Sequence, residues 1–279
     1  GSDARTLTEK AVLTFGTAIT KFNVISVAPR GAVDAAMPVG SETEIGTLDM
    51  VNDLEAVRSA LHVKKISIIG WGSGATTAAA LIMQNPLRVR AAVLDSPIDP
   101  SSSMVKQASQ HIKATALGVK TAMRWCASHL ACTMNANVAK GLDLLKTKIR
   151  LERVDPRVTN VAVARAAVRT VVVGNAQELF GAITAANNGD SKRLLAFAGT
   201  APTALNAYGR CADVSRADAK RIAQAHRAVK PYKFTIGSEA AIYALCAQIP
   251  ESARPLGAVK PAVMAKGARV LVNIARGDQ

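Results

Sequence analysis

The sequence predicts an α/β fold in which a parallel sheet core is interrupted by a helical insertion. Three observations predict it. Strand and helix signals alternate through the first hundred residues, helical periodicity takes over from about 101 to about 230, and "GARVLVNIARGDQ" returns to strand character near the end. The expected division is an α/β core over 1–100, a helical insertion over 101–235, and a return to the core over 236–279 that stops one residue after Asp278.

Each element has a local reason. Leu7, Val12, Phe15 and Ile19 share a face and predict a helix over 4–22. "FNVISVAPRG" (22–31) reads as a short apolar strand stopped by Pro29 and Gly31. Thr47 is placed to cap a helix carrying Leu48, Val51, Leu54, Val57 and Leu61, with Asp49 near its positive end. "KKISIIG" predicts a buried strand, and a small-residue helix from about Gly74 to Gln84 follows it, closed by Asn85-Pro86. "RVRAAVLDSPIDP" predicts a further strand ending at Asp95. Strands joined through helices in this order argue for parallel pairing. In the insertion, Val105, Ala108, Ile112 and Ala116 repeat at helical spacing, as do Val158, Val161, Ala162, Ala166 and Val168.

At 279 residues, 49% hydrophobic and 20% charged, the composition is globular and not disordered. The formal charge of +15 calls for anionic surroundings such as a membrane surface or an acidic envelope polymer, or else is solubility charge spread over several faces. No block of five cations occurs and only 4% of residues are aromatic, which argues against a nucleic-acid partner. No apolar run reaches the length of a membrane span, and no signal peptide is present. The opening Gly1-Ser2 resembles a cloning scar, which leaves room for an upstream leader or anchor. Cys126, Cys132, Cys211 and Cys246 form no C-x-x-C and have no histidine at ligand spacing, so no metal site is expected. Two disulfides, Cys126–Cys132 and Cys211–Cys246, fit an oxidising compartment, while four buried thiols fit the composition equally well.

The segment "ISIIGWGSGATTAAALIM" (66–83) is a strand, a glycine turn and a helix. Gly70, Gly72 and Ala75 spell G-x-G-x-x-A, with Asp95 ending the next strand, which is a dinucleotide fingerprint in outline. A second reading makes Ser73 the nucleophile of a G-x-S-x-G elbow. That centring puts the bulky Trp71 two residues before the apex. Centring on Gly72 instead puts Gly70 at −2 and Gly74 at +2. The third reading is therefore an elbow with glycine where a nucleophile belongs, and Ser73 as a hydroxyl bonding near the helix start.

These segments resemble the tripeptidyl aminopeptidase-like branch of the α/β-hydrolases, secreted serine exopeptidases and their relatives. "FNVISVAPRG" is similar to the family's strand and D-x-R-G segment, with Ala28 in the acidic place. "DMVNDLEAVRSALHVKKISIIGWGSG" is similar to its helix, strand and elbow, and "RAAVLDSPIDPS" to the next strand and its D-G-x-x-D-P loop. "RWCASHLAC" and "LFGAITAANNGDSKRLLAFA" resemble its helical cap. "NAYGRCADVS" and "LCAQIP" resemble the C-A-D and C-x-x-W-P segments, the latter with Ile249 for tryptophan.

The resemblance implies an α/β-hydrolase-like parallel sheet core with an inserted helical cap, two disulfides and a location outside the cytoplasm. It maps the triad aspartate to Asp278 and the nucleophile to Gly72. The family histidine lies downstream of that aspartate, and none of His62, His111, His129 or His226 matches it; the H-G-G-P-G-type oxyanion loop has no counterpart before residue 22. A triad works only as one hydrogen-bonded chain of nucleophile, base and acid. Loss of nucleophile and base together lowers kcat by about 10⁶ in a serine protease. The expectation is a catalytically inactive relative that binds or scaffolds, with no cofactor, and with a peptide, lipid or anionic envelope ligand as partner. The alternatives are a serine peptidase or esterase of the same family in mutated or partial form, and third a dinucleotide-binding protein.

Overall fold

A computed structural model describes residues 4–30, 43–172, 174–199, 211–225, 242–249, 254, 256 and 269–273. The chain divides into two compact units, the first from 1–104, 204–216 and 248–275, the second from 105–203, 217–247 and 276–279.

Among the described residues, the first unit is built on a sheet of three parallel strands in the order β1-β2-β3: Ile66–Trp71, Val89–Asp95 and Arg269–Asn273. Helix α3 (Ser73–Gln84) is the crossover from β1 to β2, and α2 (Thr47–Ala60) precedes β1. Ala75, Ala78, Ala80 and Leu81 of α3 are fully buried beside Val89, Ala92 and Leu94 of β2, and Val51 of α2 completes this core. The alanines let helix and sheet approach closely, so burial here comes from proximity more than from bulk.

The N-terminal segment departs from expectation. The helix predicted over 4–22 is α1 (Ala4–Phe15) followed by a 3₁₀ turn over Gly16–Lys21, because Gly16 at φ +52° breaks the α geometry. Residues 23–29 form no strand. Phe22 and Ile25 are exposed, and polar links hold the segment instead. Thr8 and Ser26 share a hydroxyl bond of 2.7 Å, and Arg30 grips both oxygens of Asp53 on α2 at 2.6 and 2.8 Å. A fork on a carboxylate fixes position without needing a ladder partner.

Helix α2 begins one residue earlier than its expected Thr47 cap. Gly46 is the N-cap, and its N–H donates to Asp49 Oδ2 at 3.1 Å. A Cβ on Gly46 would come within 3.1 Å of Asp213. Thr47, in the first turn, donates its N–H and its hydroxyl to Asp213 at 2.7 and 2.6 Å. Asp49, 1% exposed, also accepts from Arg254 at 2.5 Å. Two carboxylates thus satisfy the positive end of α2.

The second unit is helical among its described residues: α4 (Met104–Ser128), α5 (Val138–Arg150), α6 (Asn160–Val172), α7 (Ala176–Asn187) and α8 (Lys192–Ala198), with α9 over Arg216–Ala225. Among the described residues, Phe180, Leu145, Leu179, Ile183, Leu194 and Ile222 are large side chains that it buries fully. The Cys126–Cys132 disulfide joins the end of α4 to the loop after it. Cys211 and Cys246 are disulfide-bonded as well, which settles the cysteine question against free thiols.

Two outcomes test this fold. Thiol counting on the denatured chain without reductant is expected to find no reactive thiol. Burial raises the Asp213 carboxyl from its ordinary 3.8, against the Thr47 hydrogen bonds that lower it, and the Asp49 charge adds to the rise. Above pH 3.8 the folded chain keeps a proton that the unfolded chain releases, so this group makes stability fall as pH rises towards its folded value. Asp213→Asn is expected to lose less unfolding free energy than the parent between about pH 4 and about pH 7, read by urea titration at both.

Candidate functional site

Ligands of open parallel sheets gather at the carboxyl ends of the strands. Here that edge carries Trp71 at the end of β1 and Gly72 after it, Asp95 at the end of β2 and Ser96 after it, and Asn273 at the end of β3. The turn from β1 into α3 is its sharpest feature. Gly72 is the N-cap of α3 at φ +53°, ψ −118°, a conformation that side chains of L-residues rarely adopt. The bend is held from both sides: Gly72 N–H donates to Asp95 O at 2.9 Å, and Gly72 O accepts from Thr76 N–H at 3.1 Å.

Space around the turn is uneven. A Cβ on Gly70 would lie 2.6 Å from Ala75 Cα and from Gly74 O, so the strand passes the helix backbone at a distance only glycine permits. A Cβ on Gly72 or on Gly74 meets nothing within 4 Å. Gly70 is a packing requirement. Gly72 answers to backbone conformation alone, and its side-chain direction is open. Gly74 meets neither demand.

Trp71 lies on the β1 face opposite Gly70, 6.5 Å from the Phe15 ring and with Lys10 Nζ 4.7 Å from its centroid. Ser73 is exposed, and its hydroxyl bonds to no described residue; its carbonyl accepts from Thr77. The first N–H groups of α3 have no acceptor within the helix and surround the apex, an arrangement that favours a negatively charged oxygen.

A hydrogen-bond network stiffens the rest of the edge. Asp95 Oδ1 accepts from the Ser96 hydroxyl at 3.1 Å and from Asn273 Nδ2 at 3.4 Å, and Ser96 N–H donates to Asn273 O at 2.8 Å. Ser96 itself sits at φ +55°. Buried Thr76 accepts from Ile98 N–H at 3.0 Å and donates to Gly72 O at 3.3 Å, tying the loop after β2 to the elbow. Thr76, Ser96 and Asn273 belong to no sequence motif; their roles rest on contacts made only in the folded chain.

Three histidines, His62, His111 and His129, are among the described residues. His62 is exposed beyond the end of α2, before β1, and so about 20 Å of strand from the elbow. His129 stacks on Trp125 at 4.7 Å with its Nδ1 2.7 Å from Trp125 O, and His111 is exposed on α4. Asp278 and His226 fall outside the described residues. No group of three metal-ligating side chains occurs among the described residues, and none of their helices is long and apolar enough to cross a membrane.

Comparison with known proteins agrees with this geometry. Residues 20–149 match the family described as alpha/beta hydrolase fold. Over 100 residues the chain is 28% identical to the serine protease Hip1 of Mycobacterium tuberculosis and of Mycobacterium bovis. That stretch is 36% of this chain and 19% of each relative, so the match spans about a fifth of their length. The sheet, elbow and following helices form an α/β-hydrolase-like core.

Three substitutions check the site. Gly70→Ala is expected to cost about 2 kcal/mol or more in urea unfolding, because backbone must move, whereas Gly74→Ala is expected to remain within about 1 kcal/mol of the parent. Thr76→Val strands the Ile98 N–H and is expected to cost about 1–3 kcal/mol by the same measurement.

Proposed function

We propose that this chain is a binding protein on a serine-hydrolase scaffold, catalytically inactive because Gly72 stands at the nucleophile position. One observation carries the reading: the apex of the strand–turn–helix has left-handed φ, an open side-chain direction and no side chain. The bare helix N–H groups there remain able to receive an anionic or carbonyl oxygen of a ligand, but no attacking atom accompanies them. Ser73, one residue on, belongs to the first turn of α3 and has no basic partner among its described contacts.

In this proposal residues 101–235 are the cap insertion, and Asp278 is the residual triad acid. The tripeptidyl aminopeptidase-like branch supplies the ancestry. The disulfides support a location outside the cytoplasm, where oxidised cysteines persist. The ligand would be a peptide or lipid able to place a polar head at the elbow.

The second reading, a serine peptidase or esterase of the same family in mutated or partial form, is favoured by the same open direction, since a hydroxymethyl group would fit without a clash. A fluorophosphonate probe and the Gly72→Ser variant separate the two. The parent is expected to stay unlabelled, Ser73 included. Gly72→Ser is expected to fold, lose about 1–2 kcal/mol to positive φ, and show no ester or peptide turnover above the parent. Labelling of Ser73 in the parent would overturn the proposal, and turnover by Gly72→Ser would replace it with the second reading.

A further inference from the structure

Helix α4 has a charge pattern that the elbow does not explain. Its 25 residues carry four cations, Lys106, Lys113, Lys120 and Arg124, and no acid; none occurs between Asp99 and Asp143. Ala108, Ile112, Val119, Ala122 and Cys126 are buried and define its inner face. Lys106, Gln110, Lys113, Leu117, Lys120 and Arg124 are exposed and follow one another at intervals of four and three residues. At 100° per residue they fall within about 80° of arc, opposite the buried face.

Of these, Lys113, Lys120 and Arg124 form no ion pair with any described residue, and Lys113 and Lys120 stand about 10.5 Å apart along the axis. Leu117, between them, is 58% exposed, and Leu130 just beyond the helix is 92% exposed. Unpaired cations on one ridge repel one another and need an anionic partner to offset that repulsion. A leucine in their midst narrows the choice. Against a phosphate backbone it contributes nothing, whereas at a lipid surface it enters the boundary between headgroups and acyl chains while the lysines remain with the headgroups.

We propose that the outer ridge of α4, centred on Lys113, Leu117, Lys120 and Arg124, is a docking surface for an anionic lipid bilayer. The helix lies parallel to the membrane plane, with no segment inserted across it. The inference is independent of any activity at the elbow. Each cation near such a surface strengthens association about five-fold, so removing three weakens it about 100-fold.

The test is sedimentation of the full chain with phosphatidylglycerol-containing vesicles and with phosphatidylcholine vesicles, at low and physiological salt. Expected are binding to the anionic vesicles only, weakening with salt, and a loss of about 100-fold in the Lys113→Gln/Lys120→Gln/Arg124→Gln variant. Leu117→Ala is expected to lower binding at both salt levels. A charge-matched control, Lys21→Gln/Lys64→Gln/Arg90→Gln, is expected to bind like the parent, and circular dichroism melting establishes that each variant is folded. No binding to anionic vesicles overturns the proposal. So does equal loss in the control, which would make the effect one of bulk charge, and so does retention of a duplex oligonucleotide or heparin without vesicle binding.

Discussion

The passage of β1 against the start of α3 governs the first unit. Gly70 lies so near Ala75 and Gly74 that the strand must turn abruptly, and the turn can be completed only through left-handed φ at the next residue but one. From this contact follow the direction of α3, the burial of its alanine face on the sheet and the presentation of bare N–H groups at the apex. The same constraint gives the turn two distinct glycines. One is fixed by crowding and the other by torsion, and only the second faces open space.

Polar links do much of the work that apolar mass does in larger cores. The sheet unit buries alanine, valine and leucine with no buried aromatic in its main cluster. Its helix α2 is held instead by Arg30 on Asp53, by Arg254 on Asp49 and by Asp213 on Thr47. Charge-assisted bonds of this kind are directional, so they place α2 more firmly than smooth alanine contact alone would. The helical unit works the other way, through Phe180, Leu179, Ile183, Leu145 and Leu194, with a disulfide at one corner.

Where the sequence carried a periodic or torsional signal, it was legible. The strands over "ISIIGW" and "VRAAVLD", the helix between them, the return to strand at 269–273 and the positive-φ apex at Gly72 all express local pattern. The segment "FNVISVAPR" misled because apolar residues report burial propensity and not the presence of a neighbour; without one, no ladder forms. Thr47 misled because its hydroxyl is a good cap, yet Asp213 is a better acceptor for it, and Gly46 leaves room for that carboxylate. The network of Thr76, Ser96, Asp95 and Asn273 was invisible for a related reason. Its members meet only once the strands are paired, and no spacing along the chain encodes that.

β3 joins β2 across a separation of 178 residues, as the Asn273–Asp95 bond records. During synthesis β2 therefore emerges with one flank bare, its peptide groups unpaired until nearly all of the intervening helices have been made. Closing so long a loop is slow compared with helix formation, and a nascent strand with an open flank invites pairing with the wrong neighbour. The helical unit, whose main core cluster is complete by Ala198, can consolidate during that interval, which makes the final strand the step at which holding chaperones would matter most.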